Sequence, residues 1–235
     1  MFCCAVFGDV TTGTFYTDMT GVFLVTSLEN MQAYVVAYHY NINTIFAKPC
    51  PDFKGATIIT VFREVFNKLK AKGYVPRFNM TNNQATSPTK AFLKTNGCKW
   101  QFVDPSNHHF NAAERIIQTF KKHFIIGLLS TNLHWPLQLW DHLSTQAKLT
   151  LNLLSTSRID PSKSTYKQLN RHKYNWNAHP LVPQETCAVI YSNAVTRISW
   201  GSRGLDAWYC SPFMDYYQCV HFFVPETGYM HVSGS

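Results

Sequence analysis

The spacing of apolar residues changes along the chain, and this change is the strongest constraint on its fold. Between residues 14 and 48, β-branched and aromatic residues form short strand-like runs at 14–17, 22–26 and 33–38. From residue 55 to 72 apolar side chains recur every three or four positions, which predicts a helix that Gly73 terminates. The first third of the chain is therefore expected to form three antiparallel strands followed by a helix.

Alternating strands and helices are predicted for the next eighty residues. Strand-like runs occupy 75–80 and 99–103, and helical spacing covers 114–128 and 137–154. A short helix is expected after Ser87-Pro88, because this pair is typical of a helix start, and Asn96-Gly97 would close it. The order β-β-β-α-β-α-β-α-α predicts an α/β fold in which a mixed sheet of five strands carries helices on its faces.

The last third of the chain has a different character. Residues 156–183 are rich in Ser, Asn, Pro and basic residues, which favours a linker. Short aromatic runs at 187–191, 207–210 and 216–224 then predict a small β-barrel. The expected organisation is a tail at 1–13, a core at 14–155, a linker at 156–183, a barrel at 184–229 and a tail at 230–235.

Charge and cysteine content restrict the function classes. The formal net charge is +8, yet only 14% of residues are charged, so the chain is poor in acids rather than rich in bases. Such a balance is compatible with nucleic-acid binding. The seven cysteines form no C-x-x-C pair, which favours an intracellular protein with reduced thiols. Cys3 and Cys4 are either incidental or the end of an upstream zinc module. The apolar runs, such as seven residues at 1–7 and six at 124–129, are all too short for a membrane span.

Because acids are scarce, two of them are conspicuous. Asp18 ends the first predicted strand, and Glu114 opens the helix at 114–128. Each has an ordinary structural interpretation: Asp18 as a turn cap, and Glu114 as an acid stabilised by the helix N-terminal dipole. The alternative for each is a functional role at a strand end or a helix start. Taken singly, the residues leave both interpretations open.

Several motifs in order give these acids a context. The chain contains YTDMTG at 16–21, NAAERIIQTFK at 111–121, LTLNLLS at 149–155 and RIDP at 158–161. Together with the element order, they resemble the integrase core of retroelements, above all that of copia-type LTR retrotransposons. The WY pair at 208–209 and YYQC at 216–219 are similar to the SH3-like barrel that follows this core. The resemblance extends from about residue 14 to the C terminus.

This resemblance implies an RNase H-like fold with a DDE triad that holds two divalent ions, Mg²⁺ or Mn²⁺. Asp18 would be the first acid and Glu114 the third, while Asn82 stands at the position of the second. An amide offers a carbonyl oxygen but no charge. The expected function is therefore DNA integration by strand transfer, impaired in a degenerate or fragmentary copy. Asp52 and Asp104 are weaker alternatives for the second acid, because neither follows the expected strand.

The resemblance also implies DNA as the partner, a homo-multimer, a nuclear location and no membrane. Basic side chains before and along the helix at 114–128 are candidate phosphate contacts; a solvated surface is the alternative. These residues are Arg115, Lys121, Lys122, His108 and His109. Three functions stay open: a strand transferase, a DNA-binding module without chemistry, and a transposon relic without function.

Overall fold

The computed structural model describes residues 13–81, 86–102, 112–130, 134–183, 186–191, 200 and 202–234. Some of the residues singled out in the sequence lie outside these ranges: Cys3, Cys4, Asn82, Asp104, His108 and His109. Among the described helices, none combines the length and the apolar character that a membrane span requires.

Five strands form one mixed sheet in the order β3-β2-β1-β4-β5. Strands β1 (Thr14–Val22), β2 (Ala33–His39) and β3 (Thr44–Cys50) are antiparallel. Strands β4 (Phe78–Thr81) and β5 (Lys99–Phe102) extend the sheet parallel to β1. The predicted mixed five-stranded sheet is confirmed.

The helices follow the predicted order. They are α1 (Gly55–Ala71), α2 (Ser87–Thr95), α3 (Ala112–Leu129), α4 (Trp140–Leu154) and α5 (Thr165–Asn170), with a 3₁₀ turn at Leu137–Leu139 before α4. Gly73 follows α1 with a φ of +83°, a left-handed conformation that glycine adopts without steric cost. The helix stop predicted at this glycine is confirmed.

The prediction for the first three strands was partly wrong. No separate strand begins at Val22, and residues 23–26 are not in a strand. Instead β1 continues through Gly21, whose φ is +78°, and its register with β2 shifts between Met19 and Val22. Gly21 therefore marks an irregularity within β1 rather than the turn after it. The third strand is β3, which tolerates Pro49 because it lies at the edge of the sheet.

Apolar side chains fill both faces of the sheet. On one face Phe15 of β1 packs edge-on against Phe62 and Phe66 of α1. On the other face Tyr34 of β2 packs against Phe120 of α3 and Trp140 of α4. The Tyr34 hydroxyl also donates to the carbonyl oxygen of Trp140 at 3.1 Å. Burial of such aromatic side chains is a main source of stability in a domain of this kind.

A second, antiparallel sheet follows the first. It consists of β6 (Cys187–Tyr191), β7 (Gly204–Pro212), β8 (Cys219–Val224) and β9 (Tyr229–Gly234), paired in chain order. Trp208 and Phe223 join the core that α4 covers, and the Tyr209 hydroxyl donates to Oε1 of Gln146 at 2.6 Å. Strands lie at all three predicted places, but β8 begins at Cys219 rather than at residue 216, and β9 occupies residues expected to form a tail.

Residues 156–183 are packed against the core, although their composition favoured a linker. Helix α5 lies in this segment, and its Leu169 is buried in the same cluster as α1. The Tyr74 hydroxyl donates to the carbonyl oxygen of Gln168 at 3.0 Å, and Ser164 caps the helix. A helix of six residues is too short to give a clear apolar period, which is why the sequence did not reveal it.

Candidate functional site

Asp18 lies on the sheet face that α3 and α4 cover. Its neighbour Thr17 points to the opposite face, where its hydroxyl donates to Oδ1 of buried Asn79 at 3.3 Å. Side chains alternate along a strand, so Asp18 faces the other way. Its cross-strand partner is Val36, which belongs to the core under α3. The Asp18 carboxylate is partly buried and accepts the backbone N–H of Met19 at 2.8 Å.

Strand β4 brings a second chain segment beside Asp18. It runs parallel to β1, and the last register pair is Thr17 with Thr81. The residue after Thr17 is Asp18, and the residue after Thr81 in the sequence is Asn82, which lies outside the described residues. The described register therefore aligns the two strand positions that precede the first and second predicted site residues.

Glu114 is the third residue of α3 and is partly buried. Ile117, Phe120 and Phe124 of this helix are buried against the sheet. Residues three apart share a helix face, so Glu114 lies on the same face as Ile117. Asp18 and Glu114 therefore lie on the same side of the sheet.

The outer surface of α3 is cationic. Arg115, Lys121 and Lys122 are exposed, and Glu114 is the only acid in the helix. The neighbouring His123 is partly buried, and burial lowers its pKa. A helix surface of this kind suits contact with phosphate groups, which are bound by charge rather than by sequence. His108 and His109, grouped with these residues in the prediction, lie outside the described residues.

Asp52 has a structural role in the turn that precedes α1. Its carboxylate accepts the Thr57 hydroxyl at 2.5 Å and the Lys54 backbone N–H at 3.1 Å. These hydrogen bonds, led by that of Thr57, lower the pKa of Asp52. The carboxylate thus organises the turn before α1, which explains the residue without a catalytic role.

Two groups of ionisable side chains were missed by sequence reasoning. Glu29, Asp141 and His142 come together between the β1–β2 connection and the start of α4. Elsewhere a cavity of about 350 Å³ is lined by Lys48, Lys68 and Lys148 together with Glu64 and apolar residues. Neither group has a local sequence spacing that could have revealed it, because each joins segments far apart in the chain.

No protein-family model matches the chain, and no curated protein matches it. The fold is similar to that of a chain in the simian T-cell lymphotropic virus intasome in complex with PP2A regulatory subunit B56 gamma. The identity is 13%, the TM-score is 0.52, and the likeness covers 95% of this chain and 76% of that chain.

Two integrase catalytic core domains show weaker similarity. That of BIV integrase is 12% identical with a TM-score of 0.49, over 68% of this chain and 95% of that chain. The catalytic core domain of HTLV-2 integrase, in complex with magnesium, is 16% identical with a TM-score of 0.48, over 66% of this chain and 95% of that chain. The intasome likeness, together with the strand order, identifies the fold as integrase-like, with an RNase H-like mixed sheet and a separate four-stranded sheet.

Proposed function

We propose that the chain is an integrase-type DNA strand transferase of copia-type LTR retrotransposon origin, weakened by the loss of one acid. The observation that supports this most is the shared sheet face of Asp18 and Glu114. The parallel register of β1 and β4 adds a third position, because Thr17 pairs with Thr81 and Asn82 comes next in the sequence. Asp18, Asn82 and Glu114 would then stand in the three places of a DDE triad.

The donor set suits one divalent ion better than two. Asp18 and Glu114 provide carboxylate oxygens, which Mg²⁺ and Mn²⁺ prefer, and Asn82 provides an amide oxygen. When bound, paired ions activate a nucleophile and stabilise the leaving oxygen. Replacing a carboxylate with an amide removes one unit of negative charge. At ~4 Å and an effective dielectric constant near 20, this amounts to about 4 kcal/mol per ion contact.

The role of the chain's own residues follows from their positions. Asp18 lies on β1, the central strand of the sheet, where it pairs with Val36 of β2 one residue beyond the last described pair of β1 with β4. Glu114 reaches this region from the first turn of α3. Arg115, Lys121 and Lys122 are exposed on the same helix and would position the DNA backbone beside the carboxylates, with His108 and His109 as further proposed contacts.

DNA binding without chemistry is the second candidate function. The exposed cations of α3 favour it, because phosphate binding requires positive charge but no complete triad. The four-stranded sheet would be the SH3-like barrel of such a protein. A homo-multimer and a nuclear location belong to the same proposal.

Calorimetric titration with Mg²⁺ tests the site directly. We expect weak binding to the parent chain and binding at least tenfold tighter to Asn82→Asp, since the restored carboxylate supplies the missing charge. Asn83→Asp is the matched control and should leave the affinity of the parent unchanged. Equal Mg²⁺ affinity in the parent and Asn82→Asp would contradict the assignment of Asn82.

A DNA titration separates the remaining functions. Binding that weakens steeply with salt is expected for both the strand transferase and the binding module. A folded chain without measurable DNA affinity at low salt would identify a relic and refute both.

A further inference from the structure

One cluster of metal-ligating side chains lies away from the carboxylates of β1 and α3. It joins Glu29, in the connection between β1 and β2, to Asp141 and His142 in the first turn of α4. Asp141 is only 4% exposed, His142 is partly buried and Glu29 is exposed. The cluster is thus anchored in the core and open to solvent on one side.

The three side chains converge on a single point. Nε2 of His142 lies 3.5 Å from Oε1 of Glu29 and 3.9 Å from Oδ1 of Asp141. One ligand atom from each residue lies within 4.8 Å of the others. Tetrahedral zinc with bonds of about 2.0–2.1 Å separates its ligands by roughly 3.4 Å. Small side-chain movements would therefore bring all three atoms into coordination distance.

A hydrogen-bonded shell orients the cluster. The Ser27 hydroxyl donates to Oδ2 of Asp141 at 2.8 Å, which leaves Oδ1 turned toward His142. The same hydroxyl oxygen accepts the backbone N–H groups of Glu29 and Met31 at 3.2 and 3.0 Å. Ser27 thereby fixes both the buried carboxylate and the turn that carries Glu29. Such outer partners are typical of metal ligands, whose orientation they hold.

The buried carboxylate of Asp141 carries a negative charge that requires compensation. Asp141 packs within the aromatic core beside Trp140 and Tyr34, and a carboxylate in such surroundings needs a cation or hydrogen-bond donors. Among the described residues its donors are the Ser27 hydroxyl and the His142 backbone N–H at 3.1 Å. The His142 ring at 3.9 Å is beyond hydrogen-bond distance.

We propose that Glu29, Asp141 and His142 form a zinc site that clamps the β1–β2 connection to the start of α4. Two carboxylates and one neutral imidazole match a Zn²⁺ ion in charge, and a water molecule would complete the tetrahedron. The imidazole distinguishes this site from the carboxylates of β1 and α3, because nitrogen ligands favour Zn²⁺ over Mg²⁺. The site is independent of DNA chemistry, and its main effect is to stabilise the fold.

The test is a Zn²⁺ titration of the full chain by calorimetry at pH 7, with the thiols blocked by alkylation. We expect one ion per chain. Glu29→Gln and His142→Gln should each weaken the affinity at least tenfold; Glu29 is exposed, so its variant is expected to fold normally. His172→Gln, at an exposed histidine elsewhere, is the matched control, and Asp18→Asn separates this site from the proposed catalytic one.

Two further readouts decide the outcome. Zn²⁺ should raise the melting temperature of the parent and of His172→Gln but not of His142→Gln, because a ligand stabilises only the state that binds it. Co²⁺ should give the visible absorption of a tetrahedral site. No binding to the parent, or equal affinity in His142→Gln, would overturn the proposal.

Discussion

Lys148 gives the stability of this protein an unusual dependence on pH. The residue lies on α4 and lines the cavity of about 350 Å³ between β3, α1 and α4. Burial first, and then the charges of nearby Lys48 and Lys68, lower its pKa from 10.5 to about 7, while Glu64 opposes them. Tyr166 lines the same cavity from α5. The folded chain therefore binds the Lys148 proton less tightly than the unfolded chain does.

The sign of the effect follows from this difference. Below pH 7 both states carry the proton, and the folded state bears the full cost of a buried ammonium group. Between pH 7 and 10.5 the folded chain loses its proton first, so stability rises with pH. Each unit of pKa is worth roughly 1.4 kcal/mol, so the penalty removed over this window is at most about 5 kcal/mol.

The test variant is Lys148→Met, whose side chain is one heavy atom shorter than that of Lys and carries no charge. Urea unfolding at pH 6 should show the variant more stable than the parent by about 2–5 kcal/mol, and the difference should fall toward zero near pH 10.5. Lys94→Met, at an exposed position on α2, should show a small difference that does not change with pH. If the free energies of unfolding of the parent and of Lys148→Met differ by a constant amount from pH 6 to 10, Lys148 does not cause the expected pH dependence.

Three further changes test the packing and the cationic helix. Tyr209→Phe removes the hydrogen bond to Gln146 and should lower the free energy of unfolding by about 1–2 kcal/mol in urea, while Tyr217→Phe, at an exposed tyrosine, should not. Leu143→Ala leaves a cavity in the core and should lower the free energy of unfolding by about 2–5 kcal/mol. A Leu143→Ala variant as stable as the parent would contradict the burial of this residue. Lys121→Gln combined with Lys122→Gln should weaken DNA binding and reduce its salt slope by about two, and an unchanged slope would remove this helix from the interface.

The element order could be predicted because the long helices have a strong apolar period. Phe62, Phe66 and Leu69 of α1 are all buried, as their spacing indicates. The errors arose where tertiary structure overrides local signals. Gly21 has the appearance of a turn, but β1 continues through it with an irregular register. Strand β3 at Thr44–Cys50 was not predicted, and as an edge strand it accommodates Pro49.

The candidate sites also differ in whether local sequence signals could reveal them. Asp18 and Glu114 could be proposed from motifs, because each motif is local and sits on a predictable element. Glu29 and Asp141 could not be linked, since more than a hundred residues separate them and only the packing of α4 against the β1–β2 connection unites them. The same holds for Lys148, whose pKa is altered by burial and then by lysines from β3 and α1.

The proposed triad of Asp18, Asn82 and Glu114 is tested by assaying DNA cleavage by Asn82→Asp in Mg²⁺. The parent chain and the double variant Asn82→Asp/Glu114→Gln are assayed beside it on a duplex carrying a labelled end. We expect cleavage by Asn82→Asp alone, because this variant combines all three carboxylates. Equal cleavage by the parent or by the double variant would contradict the proposed triad, and so would a folded Asn82→Asp that binds DNA but leaves it intact.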